Sequence, residues 1–316
     1  MTRDDKSAAT LAAKTFRTLM ALTGVYDLEI REFDALNAFV NSEIDEIVYT
    51  ECPDGFKVPE QDPCLFTDGI VILIFYVDDF IVLSSAANKR RADEVIEFLS
   101  SKYFLREIEN ADTFLGIKIR RDRGKRTIHL SQLVYIDKIT TKFNLKTSQP
   151  PKSPLPTVPM TLYSGKASPR QIQEFQEKVG SILWSAVITR PDIAKSASEL
   201  SRFLVNPGPD YLAAANRVIQ FLYGTRFYGI RYSKSGDPNA GEVFIMASDA
   251  AFGDHTDRKS FEGLVCLLYG GPVDWHTGKQ KTVSTSTTEA ELLAISEAGK
   301  NVFWWKRLFN ALQFNL

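Results

Sequence analysis

Cysteine is scarce in this sequence. The three cysteines, Cys52, Cys64 and Cys266, are too few and too widely separated for a disulfide framework or a zinc site. No apolar run approaches the length of a membrane-spanning helix, and the N-terminus lacks a signal-peptide pattern. We therefore expect an intracellular protein, cytoplasmic or nuclear, with reduced thiols.

An excess of positive charge is also absent, since the formal net charge is −1. Proteins that bind nucleic acids commonly place Lys and Arg at the phosphates. The charge is uneven, however, because acidic residues dominate residues 1–88 and basic residues dominate residues 89–146. The basic segment is the one expected to contact a nucleic acid, although an ordinary solvated surface has the same composition.

The chain has 316 residues and 44% hydrophobic content, enough for two domains or three small ones. Apolar spacing predicts helices over 7–24, from Asn88, over 132–143, from Ser168, and over about 191–205, 209–223 and 287–313. Residue type and alternation predict strands at 26–34, 46–50, 227–232 and 243–248, and hairpins over 70–84, 113–130 and 261–276. Residues 36–41 should form a helical turn, 51–69 a loop, and the proline-rich segment 147–168 a linker. This mixture predicts an α+β fold.

The segment FYVDDF at 75–80 places two adjacent carboxylates, Asp78 and Asp79, within a β-branched and aromatic run. This pattern is typical of a tight β-hairpin with the acids at its tip. Neighbouring like charges disfavour each other's ionisation, and Mg²⁺ would relieve the conflict. An ordinary Asp-Asp turn is the alternative. Asp34 lies in another strand-like segment, and strands side by side would bring Asp34 and Asp78 together in a two-metal phosphoryl-transfer site.

The motif YVDD at 76–79 resembles the catalytic hairpin of reverse transcriptases. The segments FDALNAFVN at 33–41, EIVY at 46–49 and CPDGF at 52–56 resemble the first catalytic motif of Ty1/copia-type retrotransposon polymerases. The resemblance extends from about residue 15 to 312. It implies RNA-directed DNA polymerase activity, with an RNA or DNA template-primer and dNTPs as partners. It also implies that Asp34, Asp78 and Asp79 bind Mg²⁺ (or Mn²⁺).

Two further segments, TFLGI at 113–117 and LSQLVYI at 130–136, resemble the hairpin and helix that follow the catalytic turn in this family. The resemblance implies that they position the primer end. The candidate phosphate contacts here are Lys118, Arg120, Arg121 and Lys125. A purely structural hairpin with basic tips is the alternative, and His129 is assigned no role.

The C-terminal segments ASDAAF at 247–252 and TSTTEAELLA at 285–294 resemble the start of the RNase H domain of the same elements. The resemblance implies that Asp249 and Glu291 are metal ligands of an incomplete RNase H site. Glu289 is two residues from Glu291 on the same helix and should face elsewhere.

The resemblance implies four regions: a palm-like antiparallel sheet with helices over 1–146, the linker at 147–168, a helical thumb- or connection-like region over 169–238, and part of an RNase H-like unit over 239–316. The family's basic fingers and a motif between residues 56 and 62 have no counterpart, and the chain stops after the first RNase H helix. We therefore expect a truncated or degenerate copy without activity. The alternative is a non-catalytic remnant that binds nucleic acid or protein. Self-association through an open edge of the C-terminal sheet is also expected.

Overall fold

The computed structural model describes residues 11–35, 56, 62–109, 111–155, 162–234, 243–253 and 258–314. It contains α-helices and antiparallel β-sheets, which confirms the predicted α+β class. The helical turn predicted at 36–41 and the strand predicted at 46–50 lie outside the described residues.

The first sheet carries the acidic hairpin. Its five strands are ordered β2-β3-β4-β1-β5, and they are β1 (Glu29–Ala35), β2 (Leu65–Thr67), β3 (Val71–Tyr76), β4 (Asp79–Ser84) and β5 (Leu105–Ile108). After a 3₁₀ turn at Ala86–Asn88, helix α2 (Lys89–Lys102) packs on one face of the sheet, where Phe33, Phe80 and Val82 are buried. Strand β2 was predicted as loop, and strand β5 was not predicted from the sequence.

The second sheet contains the basic hairpin. Its strands, in spatial order, are β6 (Thr113–Phe114), β7 (Ile117–Asp122), β8 (Thr127–Ser131) and β9 (Gly229–Ser233). Strand β9 comes from the region predicted as a helical unit, yet it pairs in antiparallel register with β8. Helix α1 (Ala13–Tyr26) packs on the face of this sheet that carries Ile128. The packing is so close that a Cβ added at Gly24 would lie 3.3 Å from Ile128.

A helical layer follows, and its core is separate from the core of the sheets. It consists of α3 (Leu133–Lys142), α4 (Pro169–Ile188), α5 (Ala194–Ser201) and α6 (Pro209–Gly224). Helix α4 begins as the sequence predicts, because the Ser168 side chain accepts from the Gln171 backbone N–H and the Gln171 side chain accepts from the Ser168 backbone N–H. The helix predicted at 191–205 is shorter, with a 3₁₀ turn at Pro191–Ile193 before α5.

The third sheet has the order β10 (Phe244–Ala251), β11 (Phe261–Leu268) and β12 (Gly271–Lys279), followed by the long helix α7 (Thr287–Ala311). Helix α1 connects this sheet to the rest of the molecule, since the buried Arg17 donates from Nε to the Val273 carbonyl at 2.8 Å. The division into the four regions expected from the sequence stays a prediction. Within the described residues, no helix is both long and apolar enough to cross a membrane.

Candidate functional site

The hairpin between β3 and β4 has a tip of two residues, Val77 and Asp78. Tyr76 pairs with Asp79, so Asp79 is the first residue of β4. Val77 is exposed and has a φ of 57°, a conformation that is costly for a β-branched side chain. The tip therefore has the tight geometry that the sequence predicts, with local strain at the residue before the two acids.

Strand β1 brings a third carboxylate to this tip. Asp34 lies directly opposite Asp79 in the antiparallel register, and the Ala35 N–H donates to the Asp78 carbonyl at 2.8 Å. Residues directly opposite each other in an antiparallel pair share one face of the sheet. Asp34 and Asp79 are therefore neighbours on one face, with Asp78 at the adjoining turn.

The three carboxylates affect each other electrostatically. Burial raises the pKa of Asp79, and the charges of Asp34 and Asp78 raise it further. A site that holds this surplus of negative charge and offers only oxygen donors suits a hard divalent cation.

The sequence analysis missed a fourth acid in this cluster. Glu32 lies two residues before Asp34 and therefore on the same face, and only 4% of its surface is exposed. Its Oε2 atom has no hydrogen-bond partner among the described residues. Burial, followed by the charges of Asp79 and Asp112, raises the pKa of Glu32 to about 7. The two-residue spacing of Glu32 and Asp34 on a predicted strand was the available signal.

One cation already contacts the cluster. Arg106 on β5 lies opposite Asp34 and donates from its guanidinium to the Asp34 carboxylate. Within the described part of the chain, no group of three or more His, Cys, Asp or Glu side chains is arranged to hold a metal ion. The oxygen donors and their negative charge suit a divalent cation, but the side chains as they stand are not arranged around one, and Asp34 would have to release Arg106 to bind it.

The four predicted phosphate contacts lie in different surroundings. Lys118 is paired with Asp112, and Lys125 in the turn is 3.6 Å from Asp122. Arg121 points inward, where it donates to Asp27 and to the carbonyls of Leu28 and Thr23. Arg120, on the opposite face of β7, is exposed. Arg120 is therefore the member of the set that has no ion pair among the described residues.

The two acids predicted for the nuclease site are arranged differently from the first cluster. Phe244 on β10 contacts Trp305 and Phe309 of α7, so alternation along the strand places Asp249 on the face directed away from α7. Glu291 is on α7 itself, and its pairing with Asp249 stays a prediction. Glu289 accepts hydrogen bonds from the backbone and hydroxyl of Thr285, a capping role distinct from that of Glu291.

Carboxylates at a hairpin tip and a third acid on the neighbouring strand are the arrangement that the resemblance to reverse transcriptases implies. Comparison with known proteins gives the family. A family model described as "Reverse transcriptase (RNA-dependent DNA polymerase)" matches residues 64–157.

Several relatives extend this match over most of the chain. The retrovirus-related Pol polyprotein from transposon TNT 1-94 of Nicotiana tabacum is 30% identical over 94% of this chain and 26% of its own length. A putative transposon Ty5-1 protein of Saccharomyces cerevisiae is 30% identical over 84% of this chain and 98% of its own length. The Gag-Pol polyprotein of yeast transposon Ty1-JR2 is 26% identical over 74% of this chain and 14% of its own length. The chain belongs to the copia-type retrotransposon reverse transcriptases.

The coverage of these relatives is uneven. The chain spans about a quarter of the tobacco polyprotein's length. The alignment with that relative is 351 residues long but includes only 94% of the 316 residues here. It therefore contains gaps in this chain. The expected lack of a family motif stays a prediction.

Proposed function

We propose that this chain carries a reverse-transcriptase metal site, built for template-directed nucleotidyl transfer, in a palm-like first sheet. The observation that supports this proposal is the register that sets Asp34 opposite Asp79, with Asp78 at the adjoining turn. Three acids from two strands that meet at one strained tip are not needed for a stable hairpin, since like charges at such positions are destabilising.

Asp34, Asp78 and Asp79 would hold the divalent cations, Mg²⁺ or Mn²⁺. When bound, the ions would activate the primer 3′ oxygen and neutralise charge on the departing pyrophosphate. The chain's own contribution is to hold the three carboxylates together. Burial, followed by the charges of Asp34 and Asp78, raises the pKa of Asp79, and a bound cation would offset this repulsion.

The template-primer would lie along the basic hairpin of β7 and β8, which follows the acidic hairpin in the chain. Asp112, just before β6, contributes to the raised pKa of Glu32 and pairs with Lys118 of β7. The start of the second sheet therefore lies near Glu32 of the acidic cluster, and a primer held there could reach the carboxylates.

A second candidate is a non-catalytic remnant that binds nucleic acid or protein. Two observations favour it. The guanidinium of Arg106 is hydrogen-bonded to the Asp34 carboxylate, and the alignment with the tobacco relative contains gaps in this chain. A lost family motif would remove groups that contact the triphosphate, and such electrostatic contributions carry much of the catalysis of phosphoryl transfer.

A primer-extension assay on the purified chain with Mg²⁺ or Mn²⁺ distinguishes the two candidates. Extension that is lost in Asp78→Asn supports the polymerase proposal. Divalent-cation binding that is lost in the same variant, without extension, supports the remnant. A chain that binds no divalent cation contradicts the metal site itself.

The remaining expectations stay proposals. We propose that the third sheet and α7 derive from an RNase H-like unit in which Asp249 and Glu291 are the metal ligands. We also propose that the open side of β10 supports self-association. The cytoplasmic or nuclear location expected from the sequence stays a prediction.

A further inference from the structure

The outer face of the second sheet carries a row of basic side chains that crosses three strands. Arg120 on β7 lies directly opposite His129 on β8, and His129 lies directly opposite Arg231 on β9. Directly opposite residues share a face. The opposite face, with Ile119, Ile128 and Ile230, is buried in the main core, so the row points to solvent.

The two arginines of this row differ from their neighbours. Both are exposed, and within the described residues neither guanidinium has an ion pair or a hydrogen bond to a side chain. The adjacent arginines Arg121 and Arg123 are paired with Asp27 and Glu29. Positive charge on the outer face is therefore uncompensated, whereas the positive charge beside it is neutralised.

The pKa of His129, which lies between the two arginines, responds to their positive charge. Burial lowers the pKa of His129, and the charges of Arg120 and Arg231 lower it further. The ring lies over β9, since a Cβ added at Gly229 would be 2.9 Å from His129 Nε2. The other charged groups on this face of β7 are Lys118, paired with Asp112, and Asp122, paired with Lys125. A bound anion would offset the repulsion from Arg120 and Arg231 that adds to the effect of burial on the pKa of His129.

Exposed aromatic side chains come just before β9, the strand that carries Arg231. Phe227 and Tyr228 immediately precede β9 and are 67% and 60% exposed. The Arg226 guanidinium stacks on the Phe227 ring, 4.8 Å from its centroid. Bases stack on such rings only when they are unpaired, and stacking of this kind is typical of sites for single strands.

We propose that the row formed by Arg120, His129 and Arg231, together with Phe227, is a binding platform for single-stranded nucleic acid. Two strand spacings separate the arginines, about 10 Å. The two arginines are therefore far enough apart to contact different phosphates of one strand. The platform rests on the proposed function only in that its ligand is a nucleic acid. It predicts that a single-stranded stretch runs over β7, β8 and β9 on the outer face of the second sheet.

Fluorescence anisotropy with a labelled oligothymidylate, on the full chain and in EDTA, tests the platform without the metal site. The double variant Arg120→Gln/Arg231→Gln should bind about tenfold or more weakly. Its slope of log affinity against log salt should fall by about 1.4, because two phosphate contacts to a single strand are lost. The control Arg90→Gln/Arg307→Gln removes the same charge from exposed positions on α2 and α7 and should bind like the parent chain.

A second variant separates stacking from charge. Phe227→Ala should weaken binding about fivefold or more, while its salt slope stays that of the parent, because no charge is lost. A blunt duplex of the same length should show no dependence on Phe227. Equal loss for duplex and single strand would overturn the assignment to single strands.

The pKa of His129, measured by NMR, verifies that the platform is intact and occupied. It should rise in the double arginine variant and should also rise when the oligonucleotide binds to the parent chain. A parent chain whose His129 pKa is unchanged at saturating oligonucleotide would place the ligand elsewhere. A double variant that binds like the α2/α7 control would likewise overturn the proposal. Neither result bears on the carboxylates, because no divalent cation is present.

Discussion

The two acidic sites expected from the sequence are built in different ways. In the first, strand pairing sets Asp34 opposite Asp79, in the interior of a five-stranded sheet. In the second, Asp249 lies on β10, which pairs only with β11 among the described strands, and it points away from the helix that carries Glu291. Strand register decides whether carboxylates from distant segments become neighbours.

The largest expected effect is on divalent-cation binding at the first site. Asp79→Asn should weaken Mg²⁺ binding by about 100-fold or more, because a direct ligand should matter at least as much as the outer-shell partners that cost 10–100-fold. Any primer extension by the chain should fall to background in the same variant. Isothermal titration calorimetry and the extension assay are the measurements.

Asp249→Asn is the matched control for this comparison, since it removes one carboxylate from an exposed strand position. It should leave Mg²⁺ binding at the first site unchanged. If Asp249→Asn weakens binding as much as Asp79→Asn, the distinction between the two sites is wrong.

The next largest effect is expected in hydrogen exchange, which should distinguish the first sheet from the third. Strand β4 pairs on both sides, with β3 and β1, whereas β10 pairs on one side among the described strands. Backbone amides of β10 should exchange about 100-fold faster than those of β4, because an edge strand opens locally at lower free energy. Protection of β10 that increases with protein concentration would indicate pairing with a second copy. Equal protection of both strands in a demonstrated monomer would contradict the open edge.

A smaller effect concerns stability and pH. The pKa of Glu32 is raised to about 7 in the fold, from an ordinary value of 4.5, so the folded state retains this proton more strongly than the unfolded chain. Stability should therefore fall as the pH rises from about 4.5 to about 7 and stay lower above it. Glu32→Gln should remove that fall and stabilise the fold by about 2 kcal/mol at about pH 8.

Denaturant unfolding in EDTA at about pH 5 and about pH 8 measures this difference. Asp249→Asn is the control. Because Asp249 is exposed, this substitution should change the stability by the same small amount at both pH values. If Glu32→Gln is destabilising at the higher pH, the carboxylate has a partner that stabilises its charge, and the buried cluster is less strained than we infer.

The sequence predicted those structural elements that a local residue pattern determines. The β-branched run around Asp78 and Asp79 predicts the hairpin, and the Ser168–Gln171 pair predicts the start of α4. Pairing between distant segments leaves no such pattern, so neither the β8–β9 pair nor Arg106 opposite Asp34 could be predicted.

Alternation was an available signal that the sequence analysis did not use. Consecutive residues on a strand point to opposite faces. Arg120 and Arg121 could therefore not both be exposed on β7, and one of the two had to find partners inside. The same rule places Glu32 beside Asp34 on the acidic face.

The smallest expected effect concerns Arg106, whose guanidinium already contacts the first site. Arg106 pairs with Asp34, and its side chain is 63% exposed. Such an exposed pair contributes about 0.2 to 1 kcal/mol, so Arg106→Gln should strengthen Mg²⁺ binding only about two- to fivefold. Arg123→Gln, which breaks the exposed pair with Glu29 and removes the same charge, is the control and should have less effect because Glu29 is outside the cluster. Asp249 has no ion pair among the described residues, so no arginine variant should have a comparable effect at the second site. If Arg106→Gln instead weakens Mg²⁺ binding, the guanidinium supports the site by orienting Asp34 rather than competing with the metal.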